Sequence, residues 1–208
     1  IRGNTSIGSV DVSGALGALQ APDVNLTGNV TVGGSLQRLT VNGAGGGNTI
    51  SAAAIGSIVV HGILSDDIQA ATIGHVTVGG AISDSMIRAS GSIGSVVAAA
   101  AADSEVLAGV RSDLDGLPST AADLSNPAAS IKTFTVRGHG AFSNTIVSAG
   151  TIGSASLGAV QTANAGTPFG VAAHHVRSVR ASVSGSNKSL HNPSTTGALG
   201  GDAVVRII

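Results

Sequence analysis

The sequence predicts an all-β fold: a single-stranded parallel β-helix, right-handed, a solenoid with coils of about 18–21 residues and two loop insertions. Three observations predict it. An eight-residue segment recurs along most of the chain. A second, shorter block follows most copies at a nearly constant distance. The composition is 42% apolar but only 1% aromatic and 10% charged, with 31 glycines in 208 residues. An ordinary globular domain carries roughly 25% charged residues.

The first block reads IGSVDVSG (7–14), LQRLTVNG (36–43), IGSIVVHG (55–62), IGHVTVGG (73–80), IGSVVAAA (93–100), IKTFTVRG (131–138) and IGSASLGA (152–159), with a weaker copy from Val176. The anchors Leu36, Ile55, Ile73 and Ile93 recur at a nearly even step that drifts slightly from coil to coil. The step from Ile93 to Ile131 is twice as long, either two periods or one with an insertion. The step from Ile7 to Leu36 also exceeds one period and is expected to carry extra chain. In IGHVTVGG, Val76 and Val78 alternate with Thr77, which is strand periodicity with one face buried. Glycine after the anchor and at the close of the block is expected to supply tight corners and positive φ.

The second block reads NTISA (48–52), DDIQA (66–70), SMIRA (85–89), SEVLA (104–108) and NTIVS (144–148). It ends on small residues, Ala52, Ala70, Ala89, Ala108 and Ser148, suited to a crowded corner. Two positions before its apolar centre stand Asn48, Asp66, Ser85, Ser104 and Asn144, side chains that hydrogen-bond nearby backbone in turns. Each period thus gives short strands and no helix. Such units cannot bury a core alone and must stack on their copies. In-register anchors then form aliphatic ladders, and at roughly 4.8 Å per coil the rod is about 40–50 Å long. A left-handed hexapeptide helix competes, but its coils are built from three equal hexads and keep a strict period. The drift in period and the inward pattern of anchor, +3 and +5 favour the right-handed form.

The opening IRGNTSIGSV (1–10) aligns with IRASGSIGSV (87–96), which places residue 1 on a second strand with further coils before it. The ending AVVRII (203–208) reads as a last strand. Two stretches leave the period: 109–130, polar and proline-containing with one helical turn expected near 119–124, and 184–202, expected to be a loop rich in Gly, Ser, Asn and Pro. Insertions in solenoids map to surface loops and often bind partners.

Net charge is −1 but unevenly placed. Residues 66–123 hold eight acids and two bases, and residues 124–208 hold six bases and one acid, Asp202. In a rod, sequence order is axial order, so the charges form an axial dipole that favours head-to-tail packing or a polyanion at one end.

Chemistry-bearing patterns are sparse. Without cysteine there are no disulfides and no thiolate metal sites. Calcium candidates are Asp66, Asp84 and Asp103 near one corner, plus Asp113 and Asp115 of the SDLDG run; a Ca²⁺ ion needs six to eight oxygens. No other cofactor is expected. Glycosidases need two flanking carboxyls, yet sugar clefts normally present aromatic platforms and this chain has neither Trp nor Tyr. The adjacent His174 and His175 would point to opposite faces of a strand. The run NGAGGGNT (42–49) lacks the Lys-Ser/Thr of a phosphate loop and reads as a coil corner. Basic residues without interleaved aromatics argue against nucleic acid. The longest apolar run, 96–102, is far short of the roughly 20 residues that span a bilayer.

IGSVxVxG followed by a polar turn and I-x-A resembles the repeats of large secreted or surface β-helix proteins of planctomycete-like bacteria. The stretch LGAVQTANAGTPFGVAAHHVRSV (157–179) and the ending AVVRII look like the C-terminal end of such proteins. The resemblance implies an extracellular β-helix at the end of a longer polypeptide, and no catalytic residues. The expected role is a non-enzymatic structural or adhesive segment of a bacterial surface protein. The alternatives are a subunit stacking end to end and a polysaccharide-binding or polysaccharide-processing β-helix. Expected partners are preceding coils of the same polypeptide, another copy of the chain, or surface polysaccharide.

Overall fold

The computed structural model describes residues 5–208, and the expected placement of residue 1 lies outside them. Among the described residues, seventeen strands form one continuous, mostly parallel network that winds through about nine coils. The only helix among the described residues is the 3₁₀ turn Ala121–Asp123, inside the helical turn expected at 119–124. Three sheets line the coil interior, here termed A, B and C in the order the chain crosses them from Leu16.

Sheet A carries the anchors. Leu16 pairs with Leu36, Ile55 with Ile73, Ile73 with Ile93, Ile93 with Ile131, Ile131 with Ile152, and Ile152 with Val176. The +3 residues pair likewise, as in Ile58 with Val76 and Val76 with Val96. These side chains are buried from Leu36 onward and form one core running along the axis. Sheet C carries the second block: Ile50 on Ile68, Ile68 on Ile87, Ile87 on Val106, Val106 on Val147, Val147 on Val171 and Val171 on Val205. Sheet B lies between them, with Leu64 on Ile82, Ile82 on Ala101 and Ala101 on Phe142.

The register corrects the sequence reading in three places and decides between its alternatives in a fourth. Ile7 is not an anchor: it pairs with Leu26 on sheet B, while Leu16 holds the first anchor position. The step from Ile7 to Leu36 therefore carries no extra chain, and the match of 7–10 to 93–96 is not a spatial one. The motif misled because Leu16 opens a copy that lacks the Ile-Gly signature. The double step from Ile93 to Ile131 is one coil with an insertion, since the two pair directly. The block at 144–148 is displaced by one residue: Val147 and Ala149 occupy the columns of Val106 and Ala108. Asn144 therefore belongs with Asp84 and Asp103, and all three have positive φ at the corner, at 36°, 52° and 49°. Lastly, residues 184–202 are not an irregular loop. Ser186–His191 runs antiparallel to the end of Phe169–Val183, and Gly197–Gly200 runs antiparallel to Ala203–Ile207.

Those antiparallel strands lie on the last described coil. They cover the outer edges of sheets A and C, and Lys188 Nζ donates to the Leu199 carbonyl to join them. A short, polar, lysine-bearing strand is a poor template for further pairing. At the other end, Ile7, Val10, Val12, Leu16 and Leu19 are only partly buried, whereas Leu26, Val30, Val32, Leu36 and Leu39 one coil later are fully covered.

All three phenylalanines enter the interior near this C-terminal half. The Phe134 and Phe142 ring centroids are 6.0 Å apart in an edge-to-face arrangement, and Phe142 is 6.0 Å from Phe169. Small residues stand next to them in register: Ala155 beside Phe134, Ala101 beside Phe142 and Ala203 beside Phe169.

Candidate functional site

The insertion 109–130 is a folded strap laid along the outer side of sheet C. The outward residues of that sheet form a column in register: Ser51, Gln69, Arg88, Leu107, Ser148, Ala172 and Arg206. Arg88 Nη1 donates to the Val110 and Arg111 carbonyls at 3.0 and 3.1 Å. Three coils after Leu107, Arg206 Nη1 donates to the Leu117 and Pro118 carbonyls at 2.9 and 3.1 Å. Two arginines of one column thus hold the strap at its start and at its middle. Between them Leu107, Ser148 and Ala172 are buried although they face outward. Leu107, Val110, Leu124 and Ile146 form a second apolar cluster, with Leu114, Leu117 and Ile208 packed against it.

The strap is also closed on itself. Val110 and Leu124 form an antiparallel bridge, and Ser125 Oγ donates to the Gly109 carbonyl. Asp123 accepts from the Ser119 and Thr120 backbone N–H groups at 2.7 and 2.9 Å, which holds its carboxyl below the usual carboxylate range. Hydrogen bonds from a charged donor contribute about 1.5–3 kcal/mol when well formed. Replacing both Arg88 and Arg206 by alanine is therefore expected to loosen the strap before the coils. Trypsin cleavage after Arg111 should accelerate at least on the order of tenfold, from roughly 1.4 kcal/mol of local stability, while far-ultraviolet circular dichroism keeps its β spectrum. Unchanged cleavage would show that the arginines do not hold it.

Beside the strap, the uncovered part of sheet C forms an open groove of about 570 Å³. Its floor is Ser51, Gln69, Ala52, Ala70 and Ala89, and its wall is the strap. The wall carries the Arg111–Asp113 ion pair, 2.5 Å between Nη2 and Oδ2. That guanidinium lowers the Asp113 pKa, and the carboxylate raises that of Arg111.

The calcium candidates are dispersed. Asp113 is engaged by Arg111, and Asp84 Oδ2 accepts from Ser83 Oγ at 2.7 Å. Asp103 Oδ1 accepts from Asn144 Nδ2, and Asn144 Oδ1 accepts from Asn164 Nδ2, both at 2.8 Å. This corner ladder satisfies polar groups between coils. Asp103 and Asp115 do line one hollow of about 210 Å³ with Glu105, which the sequence reading did not single out. Burial, with Asp115 and Asp67 nearby, pushes the Glu105 carboxyl up, and Arg88 partly offsets it. Among the described residues, no three His, Asp or Glu side chains converge closely enough to hold a metal ion.

Asp66 is the odd member of its column. It is 1% exposed; Oδ1 accepts from the Asn48 backbone N–H at 2.9 Å, and Oδ2 has no partner. In the following coils Ser85, Ser104 and Thr145 fill this position, and each hydroxyl donates to the carbonyl two residues earlier. The site thus favours a donor where Asp66 presents an acceptor. Burial raises its pKa above the ordinary 3.8, offset in part by the Asn48 hydrogen bonds. A raised acid pKa in the folded state means that stability falls as pH rises from that ordinary value through the folded one. Asp66→Asn is therefore expected to be more stable than the native chain at pH 7, by about 1 kcal/mol. The gain should shrink towards pH 4, as read by urea unfolding at both pH values. A gain independent of pH would refute an ionised Asp66.

Comparison with protein-family models, with curated proteins and with solved structures found no match to this chain.

Proposed function

We propose that the chain is a non-enzymatic structural segment of an extracellular bacterial surface protein: a stiff, braced stretch of solenoid. The observation that supports this best is how the excursions from the repeat are used. The strap is fastened across the outer column from Arg88 to Arg206, and the second excursion covers two sheet edges. Both brace the rod. At the opposite end, Ser6–Ile7 and Val10–Val12 pair on one side only, among the described residues. Their half-buried aliphatics continue the columns of the next coil, and further coils of the same polypeptide fit them. Stacking of copies into open-ended filaments is the weaker reading, because the covering strands take the parallel edges of sheets A and C that the next copy would need.

A brace should appear in mechanics. Pulled between its ends in single-molecule force spectroscopy, the chain is expected to give one cooperative unfolding event for the coils under the strap. Coil-by-coil unravelling at low force would overturn the structural reading.

A further inference from the structure

We infer that the second excursion builds a binding pocket for the acidic groups of a polysaccharide. Residues 184–202 fold back against the corner where sheet A turns, and a pocket of about 280 Å³ lies between them. Arg180, Lys188 and His139 line it together with Ser156, Asn187 and Ser189. No carboxylate does. Arg180 stands in one row between Ser156 and Ser189, its register partners on either side, so a cation is flanked by two hydroxyls.

The cation is available for a ligand. Among the described residues, the single ion pair is Arg111–Asp113 in the strap, and the Arg180 side chain makes no hydrogen bond to the protein, whereas Lys188 Nζ is held by the Leu199 carbonyl. The one acid of residues 124–208, Asp202, is committed elsewhere: its Oδ2 accepts from the Asn164 and Gly166 backbone N–H groups at 2.6 and 3.1 Å. The axial charge skew of the sequence therefore has a concave focus at this site, which strengthens attraction for anions.

Pocket size and lining select the anion. A guanidinium suits the two oxygens of a carboxylate or sulfate. Serine and asparagine side chains around it can both donate to and accept from sugar hydroxyls. The volume admits a ring rather than a bare ion. Aromatic platforms are absent, so recognition rests on charge and hydrogen bonding, and neutral glycans lack the feature that would hold them. This goes beyond the structural role and does not depend on the rod bearing tension.

The test is titration calorimetry of the full chain with an oligouronate, a sulfated oligosaccharide, a neutral dextran oligomer and a short DNA duplex of matched charge. Binding of an acidic oligosaccharide, none of dextran and weaker binding of DNA is the expected result. Arg180→Gln should weaken the acidic glycan about fivefold, the scale of one exposed charge contact of roughly 1 kcal/mol. Arg38→Gln, on the same sheet at the other end of the rod, should leave it unchanged. Circular dichroism of both variants verifies folding; if Arg180→Gln does not fold, Arg180→Lys replaces it, with weaker binding again expected from the loss of the planar fork. Absence of acidic-glycan binding would overturn the pocket. So would equal loss in the two variants, or DNA binding as tight as the glycan.

Discussion

Replacing Phe142 by alanine is expected to cost the fold about 3–5 kcal/mol, the range for deleting a fully buried ring. Phe142 is 0% exposed and touches both other rings, so its removal leaves Phe134 and Phe169 facing a void. The register shows why the void cannot close. Phe142 stands on Ala101 and under Val160, and the coil spacing is fixed by backbone ladders on three sheets. Alanine on alanine there leaves two coils without side chains long enough to meet. Phe142→Leu refills part of the volume and should cost less, on the order of 1–1.5 kcal/mol. Denaturant unfolding of the three proteins gives the order directly. If the alanine variant lost no more than the leucine variant, the rings would not be filling the interior.

The same pairing of large against small was legible in the sequence once registers were known, and the limits of that reading are physical. Ile-Gly anchors from Ile55 to Ile93 could be aligned because their period is regular and each copy keeps the same inward pattern. Leu16 was missed because its copy opens on Leu instead of Ile and lacks the closing glycine, although Gly17 and Leu19 keep the +1 and +3 positions. Val147 was displaced because Ile146 beside it is equally apolar; only the strap, which covers Ile146 from outside, explains two adjacent buried aliphatics. The strap itself had a faint signal. Leu107 is apolar in an outward column whose preceding members are Ser51, Gln69 and Arg88, so something had to cover it. The arginine clamps left no such trace, since they bind carbonyls that any residue supplies. The basic pocket was half legible: the charge skew was plain, but the hairpin at 186–191 shows no alternation of apolar and polar residues, and its pairing is with backbone.

Gly74→Ala is expected to destabilise the chain by about 1–3 kcal/mol, against the usual direction for glycine on an unstrained backbone, where alanine stabilises by about 0.4–1 kcal/mol. The sequence reading assigned the post-anchor glycines to positive φ. Gly56, Gly74 and Gly94 are not among the residues with positive φ, so that reason fails for them. Close approach replaces it. A Cβ on Gly74 would lie 2.3 Å from the Gly56 carbonyl oxygen, and one on Gly94 would lie 2.3 Å from that of Gly74. Gly17 precedes them in the same column and has nothing within 4 Å, so Gly17→Ala is an internal control expected to be neutral or slightly stabilising. The same approach recurs at Gly56 and Gly153, whose Cβ atoms would lie 2.5 and 2.4 Å from the Gln37 and Lys132 carbonyl oxygens, so the collision is with the preceding coil, and Gly17 escapes it because no described residue precedes it in the column. If both alanine variants changed stability equally, backbone entropy rather than inter-coil contact would govern these glycines.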